Sequence, residues 1–249
     1  MSTNNQDNKK SADFLKHGSI LAMASLIVRF IGMAYRIPMS NILGEEGNGI
    51  YAVAFDIYDI LLIVSSYSLP LALSKIISAQ NIKREYKNIG KTFRLALLFA
   101  VVSGGVFGIL LFVFAGWIEK NIYPDYVGVH IPLRVLAPTI FIVALLGVFR
   151  GFFQGKKTMV PTAVSQVLEQ VVNAIVSVSA AYLFIQWNID SLDKSAWGAA
   201  GGTLGTCLGA FSALLLVVFV YYIYRPVQRK LERRDRGRRL YSTSHIYRI

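Results

Sequence analysis

Two stretches without a single charged residue, 95–118 and 198–224, constrain this chain more than anything else in it. They run for 24 and 27 residues, and about 20 consecutive apolar residues in a helix cross the hydrocarbon core of a bilayer. Backbone groups in that core find no water, so such stretches must satisfy their hydrogen bonds internally, as helices do. None of the apolar segments alternates with the period of two that a barrel strand needs. Composition points the same way. Of 249 residues, 54% are hydrophobic and 16% charged, with a mean hydropathy of +0.49, whereas a soluble domain is about a quarter charged.

Hydropathy predicts an all-α integral membrane protein with six spans, at about 18–43, 49–77, 93–118, 133–153, 160–186 and 198–224. Residues 1–17 are polar and of mixed charge. They precede an apolar segment too long for the core of a signal peptide, and read as a cytoplasmic tail. The connections alternate in basic content. Lys9, Lys10 and Lys16 precede the first span, "GEEGNG" has no basic residue, and "KREYKNIGK" has four. "EKNIYPDYVGVHIP" then has Lys120 alone, "RGFFQGKK" has Arg150, Lys156 and Lys157, "QWNIDSLDKSAW" has Lys194, and the segment 225–249 has nine Lys or Arg. Basic loops stay in the cytoplasm, so both termini are expected there. Trp117, Trp187 and Trp197 fall at the opposite surface, where aromatic anchors also sit. The net charge of +12 is thereby confined to cytoplasmic edges and does not indicate nucleic acid. The tail "RPVQRKLERRDRGRR" reads either as a topology signal or as a partner for anionic headgroups of membrane lipids.

Polar residues inside the spans are the functional candidates. Arg29 and Arg36 lie seven residues apart in "SLIVRFIGMAYRIP", two turns along one helix face. A basic side chain at mid-membrane costs about 3 kcal/mol even on lenient scales, so Arg29 is expected to face protein or a hydrated cavity. The alternatives are a buried ion pair and a cationic cavity for an anionic substrate; the second is favoured here. Asp56 and Asp59 share a face of the second span at the depth of Arg36, which suggests an Arg36–Asp56/Asp59 cluster. In the fifth span Gln166, Glu169, Gln170 and Asn173 form one stripe, expected to face the bundle interior. Depth counting sets Glu169 level with Arg29, as its counter-charge or as a protonation switch; helix–helix hydrogen bonding by the amides is the other reading. Pro38, Pro70, Pro132 and Pro138 suggest bends, and the small residues of "SGGVFG" and "WGAAGGTLGTCLGA" suggest close helix packing.

No catalytic set emerges. His17, His130 and His245 are dispersed and Cys207 is the single cysteine, so neither a metal site nor a disulfide is expected. "GKT" lacks the glycine pattern of a phosphate loop. No cofactor, and no enzyme activity, is expected.

The stretch "FLKHGSILAMASLIVRFIGMAYRIPMSNILGEEGNGIYAVAFDIYDILLIVSSYSLPLALSKIIS" resembles the N-terminal end of polysaccharide-biosynthesis transporters of the MOP exporter superfamily, in the stage V sporulation protein B and MurJ-like lipid II flippase group. "LRVLAPTIFIVALLGVFRGFFQGKKTMVPTAVSQVLEQVVNAIVS" is similar to the fourth and fifth helices of the same group. The resemblance covers about residues 14 to 249. It implies a flippase of the bacterial cytoplasmic membrane that moves an undecaprenyl-pyrophosphate-linked precursor, such as lipid II, by alternating access. It also implies two six-helix lobes around a cationic cavity, with Arg29 and Arg36 matching first-helix arginines that face it. The relatives tend to carry a basic residue on the second helix, where "LLIVSS" has none. The chain accounts for one lobe, so a missing second lobe or a second copy is the expected partner. A MOP-type drug exporter, and a truncated lobe acting as a membrane scaffold, are the alternatives.

Overall fold

The computed structural model describes the backbone of residues 2–66 and 68–235, and the side chains of 18–66, 68–233 and 235. The expected tail side chains of 1–17 and the basic stretch beyond Asp235 lie outside the described residues. Every regular element described is helical: α1 (Ser2–Ser65), α2 (Leu69–Ile82), α3 (Tyr86–Asn121), α4 (His130–Gly155), α5 (Val160–Trp187) and α6 (Lys194–Arg234). Five helical stretches are long and apolar enough to cross a membrane, and the first, Gly18–Ile82, runs 65 residues. The chain is a multi-pass membrane protein.

That first stretch is bent back on itself. Gly44 takes φ 66 and ψ −174, a left-handed backbone open at little cost to glycine alone. The carbonyls it strands at the end of the first limb are collected by one side chain: Asn48 Nδ2 donates to Gly44 O at 2.6 Å and to Ser40 O at 2.9 Å. The limbs then run side by side. Met39 from one and Tyr51 from the other both close over Gly202, where a Cβ would stand 2.0 Å from Met39 Cε and 3.0 Å from Tyr51 Cε2. The segment expected as one span over 49–77 is itself divided, because α1 ends at Ser65 and α2 begins at Leu69. Pro70 does not bend a helix there. It occupies the first turn of α2, where its missing N–H is harmless, and its ring packs where a Cβ on Gly147 of α4 would be 2.8 Å away.

The middle of the bundle is α4, with half of its apolar window buried against 22–33% for the other four stretches. Its first half joins a core with Ile50, Ala54 and Tyr58 of α1, Leu111 of α3 and Ala199 of α6. Its second half joins Ile77 of α2, Phe93 of α3 and Val217 of α6. The α5–α6 contact is closer still. Cβ atoms on Gly201, Gly205 and Gly209, spaced four apart, would lie 2.5 Å from Ala180, 2.0 Å from Ser177 and 2.6 Å from Glu169 O respectively. Small residues let these backbones touch, as the glycine row led one to expect.

The connections sort to two ends. At one, the Gly44 bend meets the start of α6, with Ser195 Oγ donating to Glu46 Oε2 at 2.8 Å. At the other, the basic α2–α3 and α4–α5 connections meet the end of α6. There Gln228 Nε2 donates to Tyr86 O at 3.3 Å and Lys156 Nζ lies 5.2 Å from the centre of the Tyr86 ring.

Candidate functional site

Two polar regions differ in what surrounds them. The α5 stripe faces inward, as expected. Asn173 is buried at a three-helix junction: its Nδ2 donates to Tyr35 Oη of α1 at 3.3 Å, and its Oδ1 accepts from Ser177 Oγ at 2.8 Å and Thr206 Oγ1 of α6 at 3.3 Å. Gln170 meets the first limb of α1 where that limb has no side chain; a Cβ on Gly32 would be 3.2 Å from its Nε2. Gln166 Oε1 is buried and has no hydrogen-bond partner among the described residues.

Glu169 is paired, though not with Arg29. Arg150 of α4 donates Nη2 to Glu169 Oε2 at 2.7 Å and Nε to Ser165 Oγ at 3.0 Å, and Ser165 Oγ in turn donates to Thr162 O at 2.8 Å. The two charged side chains are only 16% and 27% exposed. Depth counting sets Arg29 and Glu169 level with each other, but depth alone does not fix which way a side chain points around its helix. The inward face of the first limb runs through Ala24, Val28, Gly32, Tyr35, Met39 and Leu43; Arg29 and Arg36 each sit one residue beyond it, about 100° round the helix.

Arg29 and Arg36 accordingly stand on an exposed face, alongside Phe30, Met33 and Ile37 at 67%, 59% and 69% exposure. Asp56 and Asp59 are exposed on the second limb, beside Ile60 and Ile63. The expected Arg36–Asp56/Asp59 cluster is not formed. Among the described residues none of these four groups makes an ion pair. The hollow of ≈ 580 Å³ between this limb and α5 is apolar, lined by residues such as Met23, Ile27, Val164 and Leu168, and includes neither arginine. Among the described residues the arginines stand apart from that hollow and mark an outer face of the bundle. Arg150, Ser165, Tyr35 and Thr206, none of them singled out from sequence, complete the interior network.

Comparison with known proteins gives this geometry its context. The polysaccharide biosynthesis protein family model matches residues 14–245. The chain is 30% identical over 212 residues to stage V sporulation protein B, and 30% identical over 221 residues to lipid II flippase MurJ, both of Bacillus subtilis (strain 168). Each match covers 85% of this chain. It spans about two-fifths of the length of those curated relatives, 39% and 40%. Among solved structures, a MOP superfamily transporter from Pyrococcus furiosus superposes with a TM-score of 0.66 at 17% identity, over 84% of this chain and 45% of that one. The fold is thus the one found in part of that transporter, and the chain belongs to the polysaccharide biosynthesis protein family.

Proposed function

We propose that this chain is a six-helix lobe of a flippase that moves an undecaprenyl-pyrophosphate-linked cell-wall or polysaccharide precursor, lipid II in the specific form of the proposal, across the bacterial cytoplasmic membrane. The two limbs of α1 supply two of the six crossings, and the end that gathers the basic connections faces the cytoplasm. The observation that carries the reading is the exposed pair Arg29 and Arg36 on a limb apolar enough to cross a bilayer. Guanidinium groups two turns apart do not rest against acyl chains, since each costs about 3 kcal/mol at mid-depth. Their face is a cavity wall, closed by a second lobe or a second copy, and Arg29 and Arg36 receive the pyrophosphate there by charge-assisted hydrogen bonds. Asp56 and Asp59 balance the arginines when the cavity is empty. Glu169, held by Arg150, belongs to the scaffold that fixes α4 and α5, and the stripe Gln166–Gln170–Asn173 holds the first limb against them. Export of cationic drugs fits poorly, because arginines repel cations.

The test is translocation of lipid II in proteoliposomes carrying the intact protein. Arg29→Ala is expected to lower the rate at least tenfold with the amount of folded protein unchanged, and Arg29→Lys to retain part of it. Unaltered translocation by Arg29→Ala discards the assignment.

A further inference from the structure

The end of the bundle that gathers the basic connections holds a second concentration of charge, distant in sequence from the arginines of α1. Past its apolar stretch, α6 continues to Arg234 and lies along the first turns of α3. Gln228 holds Tyr86 O, and the Lys87 backbone N–H donates to Asp235 Oδ2 at 3.1 Å. Glu232 rests on Gly90, where a Cβ would come within 2.6 Å of its Oε1. Around this carboxylate open adjoining clefts of ≈ 400 Å³ and ≈ 300 Å³. The basic side chains of Lys87, Arg94, Arg229 and Arg233 line them, and Glu232 is the one acid in either wall. Among the described residues Arg94, Arg225, Arg229 and Arg233 form no ion pair and no side-chain hydrogen bond. Glu232 Oε1 is itself occupied by Gln228 Nε2 at 3.1 Å.

Guanidinium groups that outnumber the single carboxylate of a cleft match the oxygens of a phosphate, which arginine binds through two parallel N–H donors. The surroundings choose the source of that phosphate. A third cleft of ≈ 270 Å³ runs from Arg225 and Arg229 to Tyr222 and Pro226, beside the exposed side chains of Tyr222 and Ile223. A free phosphate gains nothing from that apolar rim, whereas a lipid lays its acyl chains along it.

We propose that the cleft between the first turns of α3 and the end of α6 binds the phosphodiester headgroup of an acidic phospholipid of the adjoining leaflet. Arg94 and Arg229 hold the phosphate, and Glu232 weakens the hold by its own charge. The proposal rests on the orientation given above only for which leaflet supplies the lipid.

Native mass spectrometry of the purified chain, with phosphatidylglycerol and phosphatidylcholine supplied in equal amounts, tests it. Phosphatidylglycerol adducts are expected to dominate. The double substitution Arg94→Gln/Arg229→Gln is expected to lower their retention about thirty-fold, at about fivefold per basic group. Lys75→Gln, an exposed charge outside the clefts, leaves retention unchanged. Glu232→Gln raises retention about fivefold, a gain that a misfolded variant does not produce. Equal retention of the two lipids, an unaffected double variant, the same loss from Lys75→Gln, or no gain from Glu232→Gln overturns the site. Displacement of the lipid by millimolar inorganic phosphate overturns the lipid as its ligand. Orientation is read separately, by labelling Lys230→Cys in a Cys207→Ser background with an impermeant maleimide from either side. Labelling from outside reverses the leaflet and leaves the binding result standing.

Discussion

The inner stripe of α5 and the outer face of α1 carry similar groups in opposite circumstances. Inside, Glu169 has Arg150, Arg150 also has Ser165, and Asn173 is bonded to two other helices. Outside, Arg29, Arg36, Asp56 and Asp59 form no ion pair among the described residues. A buried ion pair is weak evidence of stability, but breaking it leaves a stranded charge that costs several kcal/mol. Charges left unpaired on an open face contribute little to folding and stay available to something else. The contrast separates residues that build the bundle from those the proposal assigns to the substrate.

Substitutions can break or sharpen this division. The largest effect is expected for Arg150→Ala, which strands Glu169 and lowers stability by about 3–5 kcal/mol; Arg150→Ala/Glu169→Ala restores much of it, both read from thermal unfolding of the purified protein in detergent. Gly205→Val comes next. With Ser177 Oγ 2.0 Å from where its Cβ would stand, the variant forces α5 and α6 apart at about 1–3 kcal/mol, visible as weakened protection of both helices in hydrogen exchange. Asn173→Ala removes three intramembrane hydrogen bonds worth roughly 0.6 kcal/mol each, about 2 kcal/mol in the same melting assay. Arg29→Ala shifts stability by less than about 0.5 kcal/mol while lowering translocation at least tenfold. An equal loss of stability from Arg29→Ala and Arg150→Ala erases the distinction.

Outside the spans, Lys156 gives an effect that depends on pH. Burial, opposed only by the charge of Glu232, lowers its ammonium to about 8 from an ordinary 10.5. Between those values the unfolded chain holds the proton more tightly. The residue's contribution to stability therefore rises with pH across that window, and its penalty is complete below it. Lys156→Met should flatten this rise in melting temperature between pH 8 and 10.

The helices were legible because lipid imposes a single rule on uncharged runs, and the α5 stripe was legible because its offsets fall on one face. The partner of Glu169 was not. Counting residues from a membrane surface gives depth alone, and Arg29 satisfies depth while pointing elsewhere. The same count had a better solution: Arg150 lies five residues before the end of α4 and Ser165 five after the start of α5. The run "RGFFQGKK" hides it by reading as one basic loop, although α4 continues to Gly155. The break between α1, ending at Ser65, and α2, starting at Leu69, is hidden similarly, since hydropathy does not register where one apolar helix ends and the next begins. Gly44 was visible only as one glycine of "GEEGNG"; the left-handed backbone that singles it out, and the cap by Asn48, emerge from coordinates.

The glycine row of α6 has a mechanical corollary. Where two main chains are in contact over two full turns, the pair bends or tilts as one spar, because any sideways shift drives peptide into peptide. The first limb of α1 has no such weld to α5: it rests there on one glycine, one tyrosine hydroxyl and aliphatic side chains. A rearrangement of the bundle opens along that softer seam and leaves the spar intact.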